Sequence, residues 1–222
     1  MTSITVITPW RDAHELAPAY WRAIEAGMIE GDRVIVVDNG SEPSVRDAYF
    51  ARTESGLPAY ATILRSQVNL GFSRACNAAF ERAGTEAVLF LNNDVVMTDP
   101  GWLNAIRGVL RPGVLVGARL RSDPHTVVDG QNIPYLDGWC VAAYGRTWLK
   151  VGGWSEEMEE PAYYGDNELA VRAARIGVRL LEAPVGLRHL ENYTSRRMQF
   201  AEVAARNRER YVAAVRAARV AA

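Results

Sequence analysis

The chain has 222 residues, 49% of them hydrophobic and 23% charged, the balance of an ordinary globular protein, which excludes disordered, collagen-like and low-complexity architectures. Its length lies just under the roughly 250 residues at which one hydrophobic core stops growing, so a single domain is expected. Twenty-five basic residues against 26 acidic ones leave a net charge of -1, which gives no global field for nucleic acid or a membrane surface and makes any polyanion contact local.

Ile4 to Thr8 reads as a β-branched strand that stops at Pro9, and the spacing Leu16, Tyr20, Ile24, Met28 predicts a helix with Pro18 near its first turn. Val34 to Val37 is a continuous apolar strand, Ile63 and Leu64 a weaker one, Ser73 to Ala83 a helix closed by Gly84, and Ala87 to Leu91 a further buried strand. This alternation predicts an α/β fold with a mostly parallel central sheet flanked by helices. Asp99 and Pro100 read as the cap and first turn of a helix that buries Trp102, Leu103, Ile106 and Leu110 and ends at Arg111-Pro112-Gly113. After Val114 to Ala118, the polar stretch Arg121 to Asp137, with Pro124, Gly130 and Pro134, reads as a long loop. Trp139 to Tyr144 returns to strand, Gly152-Gly153 is a turn, Glu168 to Ile176 is helical, and Thr194 to Ala222 is one long arginine-rich helix.

In that last helix Arg206, Arg208, Arg210, Arg216 and Arg219 accompany Val203, Val212 and Val215. The pattern suits a helix resting on anionic lipid or holding a phosphorylated acceptor, and equally one docked on the domain with a solvated arginine face. No repeat and no Pro-, Gly- or Ser-rich linker divides the chain. Cys76 and Cys140 lie far apart and outside any metal spacing, so a disulfide or zinc framework is not expected. Met1 to Thr8 has neither a basic nor a long apolar region and no run of about 18 apolar residues occurs, so a cytoplasmic location is expected.

Ligands of open α/β sheets bind beyond the carboxyl ends of the strands. There the sequence offers Thr8, Pro9 and Arg11, then Asp38-Asn39-Gly40-Ser41, then Asn69-Leu70-Gly71-Phe72, then Asn92-Asn93-Asp94. GxGxxG and GxxxxGK[ST] loops are both absent, which excludes dinucleotide dehydrogenases and P-loop ATPases. Asp94, ending a hydrophobic strand, is a hard oxygen donor for a phosphate-bound divalent cation or, alternatively, a turn aspartate.

Asp38 after Val-Ile-Val-Val, Asn69 to Asn77 opening a helix, Phe90-Leu-Asn-Asn-Asp94, Gly152-Gly153-Trp154, Gly165-Asp-Asn-Glu-Leu169 and His189 follow one another in this order. From Thr5 to His189 the chain thereby resembles the family 2 glycosyltransferases of the GT-A fold, especially their rhamnosyltransferase-like branch. The resemblance implies one GT-A domain over 1–222, with a nucleotide-binding half (1–100), an acceptor half (101–193) and a basic carboxyl-terminal helix (194–222). It also implies a metal-dependent, inverting hexosyl transfer from a UDP-, dTDP- or GDP-linked sugar to a glycan or small-molecule hydroxyl, with Mn2+ or Mg2+ as cofactor.

Carried onto this sequence, Thr8, Pro9, Arg11, Asp38, Asn69, Gly71, Arg74, Asn92 and Asn93 would bind the donor nucleotide, and Asp94 and His189 the metal. The carboxylate of Asp38 would accept from a base N–H, or else close an Asx turn with Asn39-Gly40. Arg74 would pair with phosphate or face solvent. Asp166 would be the general base, kept ionised by the positive end of its helix, with Glu168 as the rival. Trp139, Tyr163 and Tyr164 would touch the acceptor. Two departures stand out: Asn92 replaces the common first aspartate of the metal motif, and Gly165 the glutamate before the base. They keep open a non-catalytic nucleotide or glycan binder. A sugar-phosphate nucleotidyltransferase would need a Gly-rich loop after the first strand, which is absent. No stable nucleic-acid partner is expected, and at most peripheral contact with the inner face of a membrane through the last helix.

Overall fold

β1 (Ile4–Trp10) and β2 (Arg33–Asn39) are the buried runs of the amino-terminal half, paired in parallel from Thr5 opposite Arg33 to Trp10 opposite Asp38. The computed structural model describes residues 1–43, 57–84, 86–158, 163–190 and 201–220. β3 (Ala61–Ser66) lies outside β2, and β4 (Ala87–Leu91) lies on the other side of β1. Beyond these, β5 (Val95–Met97), β6 (Val114–Gly117), β7 (Leu120–Arg121), β8 (Tyr135–Leu136), β9 (Cys140–Tyr144), β10 (Arg179–Glu182) and β11 (Leu187–His189) follow in chain order.

The main sheet has seven strands in the order β10-β6-β9-β4-β1-β2-β3. It is parallel except at β9, which runs antiparallel to both β4 and β6. The expected α/β fold with a mostly parallel sheet is therefore present.

The helices are α1 (Ala17–Gly27), α2 (Phe72–Phe80), α3 (Trp102–Val109), α4 (Gly145–Val151), α5 (Gly165–Arg175) and α6 (Ala201–Val220). Successive strand residues face opposite ways, so Val6 joins a core with Trp10, Tyr20, Ile24, Trp102 and Ile106, while Ile7 joins another with Cys76, Phe90, Trp148, Trp154 and Leu169. Helices thus cover both faces and leave the strand ends to carry the site.

Three local expectations change. The stretch Arg121 to Asp137 is not a plain loop: it holds β8, which pairs with β7, a 3-10 turn at Pro124–Thr126 and a bridge between Val128 and Gln131. Burial of Tyr135 and Leu136 orders it despite its prolines and glycine. Asp99 sits two residues before Gly101, the cap of α3, and its Oδ1 accepts the Gly101 N–H at 2.7 Å.

The carboxyl-terminal helix is present over Ala201–Val220, and its expected start at Thr194 lies outside the described residues. Its face of Asn207, Tyr211 and Val215, spaced by four, is buried. Tyr211 and Val215 pack with Val128 and Val171; of the three valines read as the apolar stripe, Val215 is buried and Val203 and Val212 are half-buried. Among the described residues no helix is long and apolar enough to cross a membrane.

Candidate active site

The carboxyl ends of β1, β2 and β4 lie side by side because these strands are parallel neighbours. At β1, Thr8 is buried and its Oγ1 accepts the Tyr20 hydroxyl at 2.7 Å, which gives this side chain to the scaffold. Pro9 pairs with Val37. Arg11 follows the strand, partly exposed, with Nε 4.0 Å from Asp12.

At β2, Asp38 is buried and its Oδ1 accepts the Ser41 N–H at 3.2 Å, a turn contact of the kind its sequence allows. The neighbouring Asn39 proves equally important. Its Nδ2 donates to Asn69 Oδ1 and to the Gly71 carbonyl, each at 3.0 Å, and its Oδ1 accepts the Leu70 N–H at 2.8 Å. Gly40 makes that approach possible: its φ is +72°, and a Cβ there would lie 2.5 Å from Asn69 N. The Asn69–Gly71 turn that starts α2 is thus locked to the end of β2. Arg74, on the first turn of α2, is exposed and 3.6 Å from Glu156. Asn77 clamps the next segment, donating to the Trp154 carbonyl at 2.9 Å and accepting the Trp154 N–H at 3.0 Å.

At β4 the Asn92-Asn93-Asp94 turn meets β11, because β11 pairs with β5 and sets His189 opposite Val95. His189 Nε2 lies 3.0 Å from Asp94 Oδ1 and 3.4 Å from Asn92 Nδ2. The Trp139 indole stacks on the imidazole at 5.1 Å with the planes 7° apart. The Trp139 carbonyl accepts the Asn92 N–H at 2.8 Å. Asn93 and Asp94 are buried. A carboxylate oxygen and an imidazole nitrogen are donors that fit a borderline-hard divalent cation. Among the described residues no group of three or more His, Cys, Asp and Glu gathers, so such an ion would take its other ligands from phosphate and water.

Asp166 is the second residue of α5. Its Oδ2 accepts the Gly138 N–H at 3.2 Å and its Oδ1 accepts the Asn167 N–H at 3.0 Å. The residue keeps partial exposure yet sits deep in protein, and burial pushes its carboxyl up to about 6. The Gly138 and Asn167 N–H groups oppose that rise, and the Asp137 carboxylate adds to it. Burial outweighs these backbone donors, and the group gains basicity.

Glu168 is buried, and both its oxygens accept from Arg172 Nε, at 2.7 and 2.9 Å. Arg172 also donates to the Gly153 and Val151 carbonyls. That carboxylate ties α5 to the Gly152-Gly153 turn. Tyr163 is exposed, whereas Tyr164 stacks on Tyr211 of α6 at 5.6 Å.

One tripeptide, Asp137-Gly138-Trp139, links the two centres. Asp137 pairs with Arg121 at 3.4 Å, Gly138 holds Asp166, and Trp139 covers His189. Asn39 and Asn77 stand inside motifs legible in the sequence, whereas Asp137 and Gly138 do not. The only signal for Gly138 was a glycine just before a strand.

The sequence profile of "Glycosyl transferase family 2" matches residues 4–158. The chain belongs to glycosyl transferase family 2. The match contains the β1, β2, α2 and β4 ends, while Asp166 and His189 lie beyond it. The uncharacterized protein y4gI of Sinorhizobium fredii is 32% identical over 120 residues, 53% of this chain, and the match spans only 13% of that relative.

Among solved structures, the chain is similar to the mannosyltransferase PcManGT from Pyrobaculum calidifontis in complex with GDP-Man and Mn2+, with a TM-score of 0.64 and 18% identity over 98% of this chain and 73% of that one. It is also similar to GalNAc-T7 with UDP, GalNAc and Mn2+, with a TM-score of 0.72 and 10% identity over 96% of this chain and 48% of that one. At such identities these likenesses establish a GT-A-like fold.

Proposed function

We propose that the chain transfers a hexose from a nucleotide-diphosphate sugar to an acceptor hydroxyl with inversion, using a divalent cation at Asp94 and His189 and Asp166 as general base. The observation that carries the reading is the joining of these centres by one tripeptide: Gly138 orients Asp166, and Trp139 seats His189 against Asp94 and Asn92. The complexes of the similar structures, GDP-Man with Mn2+ and UDP with Mn2+, support a nucleotide sugar and a cation of that kind. Assignment to the rhamnosyltransferase-like branch rests on motif order alone.

On this reading residues 1–100 hold the nucleotide and 101–193 the acceptor. Asp38 accepts the N–H of a uracil, thymine or guanine, with Pro9 and the Asn39-locked turn at Gly71 beside it, and Arg11 and Arg74 meet phosphate at the rim. Mn2+ or Mg2+ at Asp94 and His189 supplies Lewis-acid charge for the departing diphosphate. Each Asp166 oxygen keeps acceptor capacity beyond its backbone bond, so the carboxylate can take the proton of a hydroxyl held between Trp139 and Tyr163. Glu168, bound by Arg172, serves as a strut and not as the base. Tyr164, stacked on Tyr211, serves the scaffold.

The deciding experiment measures nucleoside diphosphate release from UDP-, dTDP- and GDP-sugars, with and without Mn2+ or Mg2+. Release from one donor class that needs the cation and disappears in Asp94→Ala supports the proposal. Full turnover in excess EDTA removes the metal from it. Nucleotide binding by calorimetry without release from any donor turns the reading to a non-catalytic binder.

A further inference from the structure

Tyr163 and Tyr164 immediately precede the helix of Asp166, and both hold a left-handed backbone, with φ of 71° and 68°. Such a conformation is strained for a non-glycine residue and persists only where surrounding contacts impose it. α6 supplies contacts of this kind. Asn207, fully buried, donates from Nδ2 to the Tyr163 carbonyl at 3.1 Å. Tyr211, one turn on, stacks on the Tyr164 ring and anchors its own hydroxyl on the Thr126 carbonyl at 2.9 Å. The Tyr164 carbonyl in turn accepts the Glu168 N–H at 2.9 Å, which fixes the first turn of α5 and the direction of Asp166 within it.

We propose that α6 is a positioning element for the base: Asn207 and Tyr211 hold the left-handed Tyr163–Tyr164 backbone from which Asp166 is aimed at Gly138. The inference rests on the reading of Asp166 as base and deepens it, because it makes a helix some forty residues further along the chain part of the catalytic geometry. Neither side chain touches a reacting atom. Both act through the backbone.

The test needs no substrate. In protein carrying 13C-labelled aspartate carboxyls, the Asp166 signal is assigned by its loss in Asp166→Asn and followed against pH. The charged and titratable groups around it are Asp137, paired with Arg121, and Tyr135 from the β8–β9 side, with Glu168 and Arg172 on its own helix. The wild-type midpoint is expected near 6. Asn207→Ala and Tyr211→Leu are expected to lower it by about one pH unit or more, as the carboxylate leaves Gly138 for solvent. Tyr163→Gly in the Asn207→Ala background is expected to restore much of it, because glycine adopts the left-handed backbone unaided.

A helix that only stabilised the fold would lower the melting temperature and leave the midpoint of the folded protein in place. That result in both variants overturns the inference while the base reading stands. A wild-type midpoint near 4 removes the buried base and the inference with it. Should Asn207→Ala not fold, Tyr211→Leu carries the same comparison.

Discussion

At Asp166 two requirements oppose each other. A base must accept a proton near neutral pH, which burial helps, and a buried carboxylate must lose that proton, which burial makes costly. The sign follows from the shift. The folded value, about 6, lies above the ordinary 3.8, so the folded state favours the protonated form, and the stability this brings is present below about pH 4 and lost as pH rises through 6. At pH 7 the ionised group costs about 2–3 kcal/mol. An asparagine in its place would carry no charge but offer only one acceptor oxygen, forfeiting a backbone bond worth about 1 kcal/mol. Asp166→Asn is therefore expected to melt about 2–8 °C above wild type at pH 7 and no higher than wild type near pH 4. The same variant should transfer sugar at least about a hundredfold more slowly with donor binding intact. Calorimetric scans at the two pH values, with single-turnover rates, check both halves. A variant that melts below wild type at pH 7, or is unimpaired in transfer, returns Asp166 to a structural role.

The elements that hold the nucleotide end depend on one close approach. β2 and the Asn69–Gly71 turn touch through Gly40, where a Cβ would meet both Asn69 N and the Val68 carbonyl carbon at 2.5 Å. Gly40→Ala must part them, breaking the three Asn39 hydrogen bonds that lock the start of α2. A loss of about 2–4 kcal/mol is expected from that clash and the positive φ. Nucleoside diphosphate affinity should fall with it, since Asp38 and Gly71 no longer share a frame; equilibrium denaturation and nucleotide titration measure the two. This element also shows what sequence makes legible. Asp38 and Asp94 follow apolar runs long enough to read, Val34 to Val37 and Ala87 to Leu91, so their places beyond the carboxyl ends of strands are legible in the sequence. β5, β7, β8 and β11 are two or three residues long, below the span in which periodicity registers. The pairing that brings His189 to Asp94 therefore appears only in three dimensions. Gly138 contacts Asp166 across 28 residues, and no local pattern announces a donor whose partner is that distant. The ring contact of Tyr164 with Tyr211 is hidden for the same reason.

For the molecule as a whole, the question is whether α6 is a membrane tether or a piece of the domain. Composition favours neither, since five arginines and a few valines serve both. Burial ties part of its apolar face to the domain: Tyr211 and Val215 are each 1% exposed and pack with Val128 and Val171. Arg216 is held by Asp129 at 3.2 Å on the protein's own surface, a weak tie that orients the helix more than it stabilises it. Val215→Ala removes two methyl groups from that cluster and is expected to cost about 2 kcal/mol. In a chain of this size that is about 4–8 °C in melting temperature. Arg208→Ala, on the exposed face, should change stability by no more than about 0.5 kcal/mol. If α6 folds as one unit with the sheet, far-ultraviolet and tryptophan signals will melt together in wild type and in Val215→Ala. The wild-type chain will also stay in the supernatant when vesicles of equal parts phosphatidylcholine and phosphatidylserine are spun down. Co-sedimentation at ordinary ionic strength, or an early melting phase seen by circular dichroism alone, would mean that the helix leaves its place beside Thr126 and Val128. The basic face would then be the functional one.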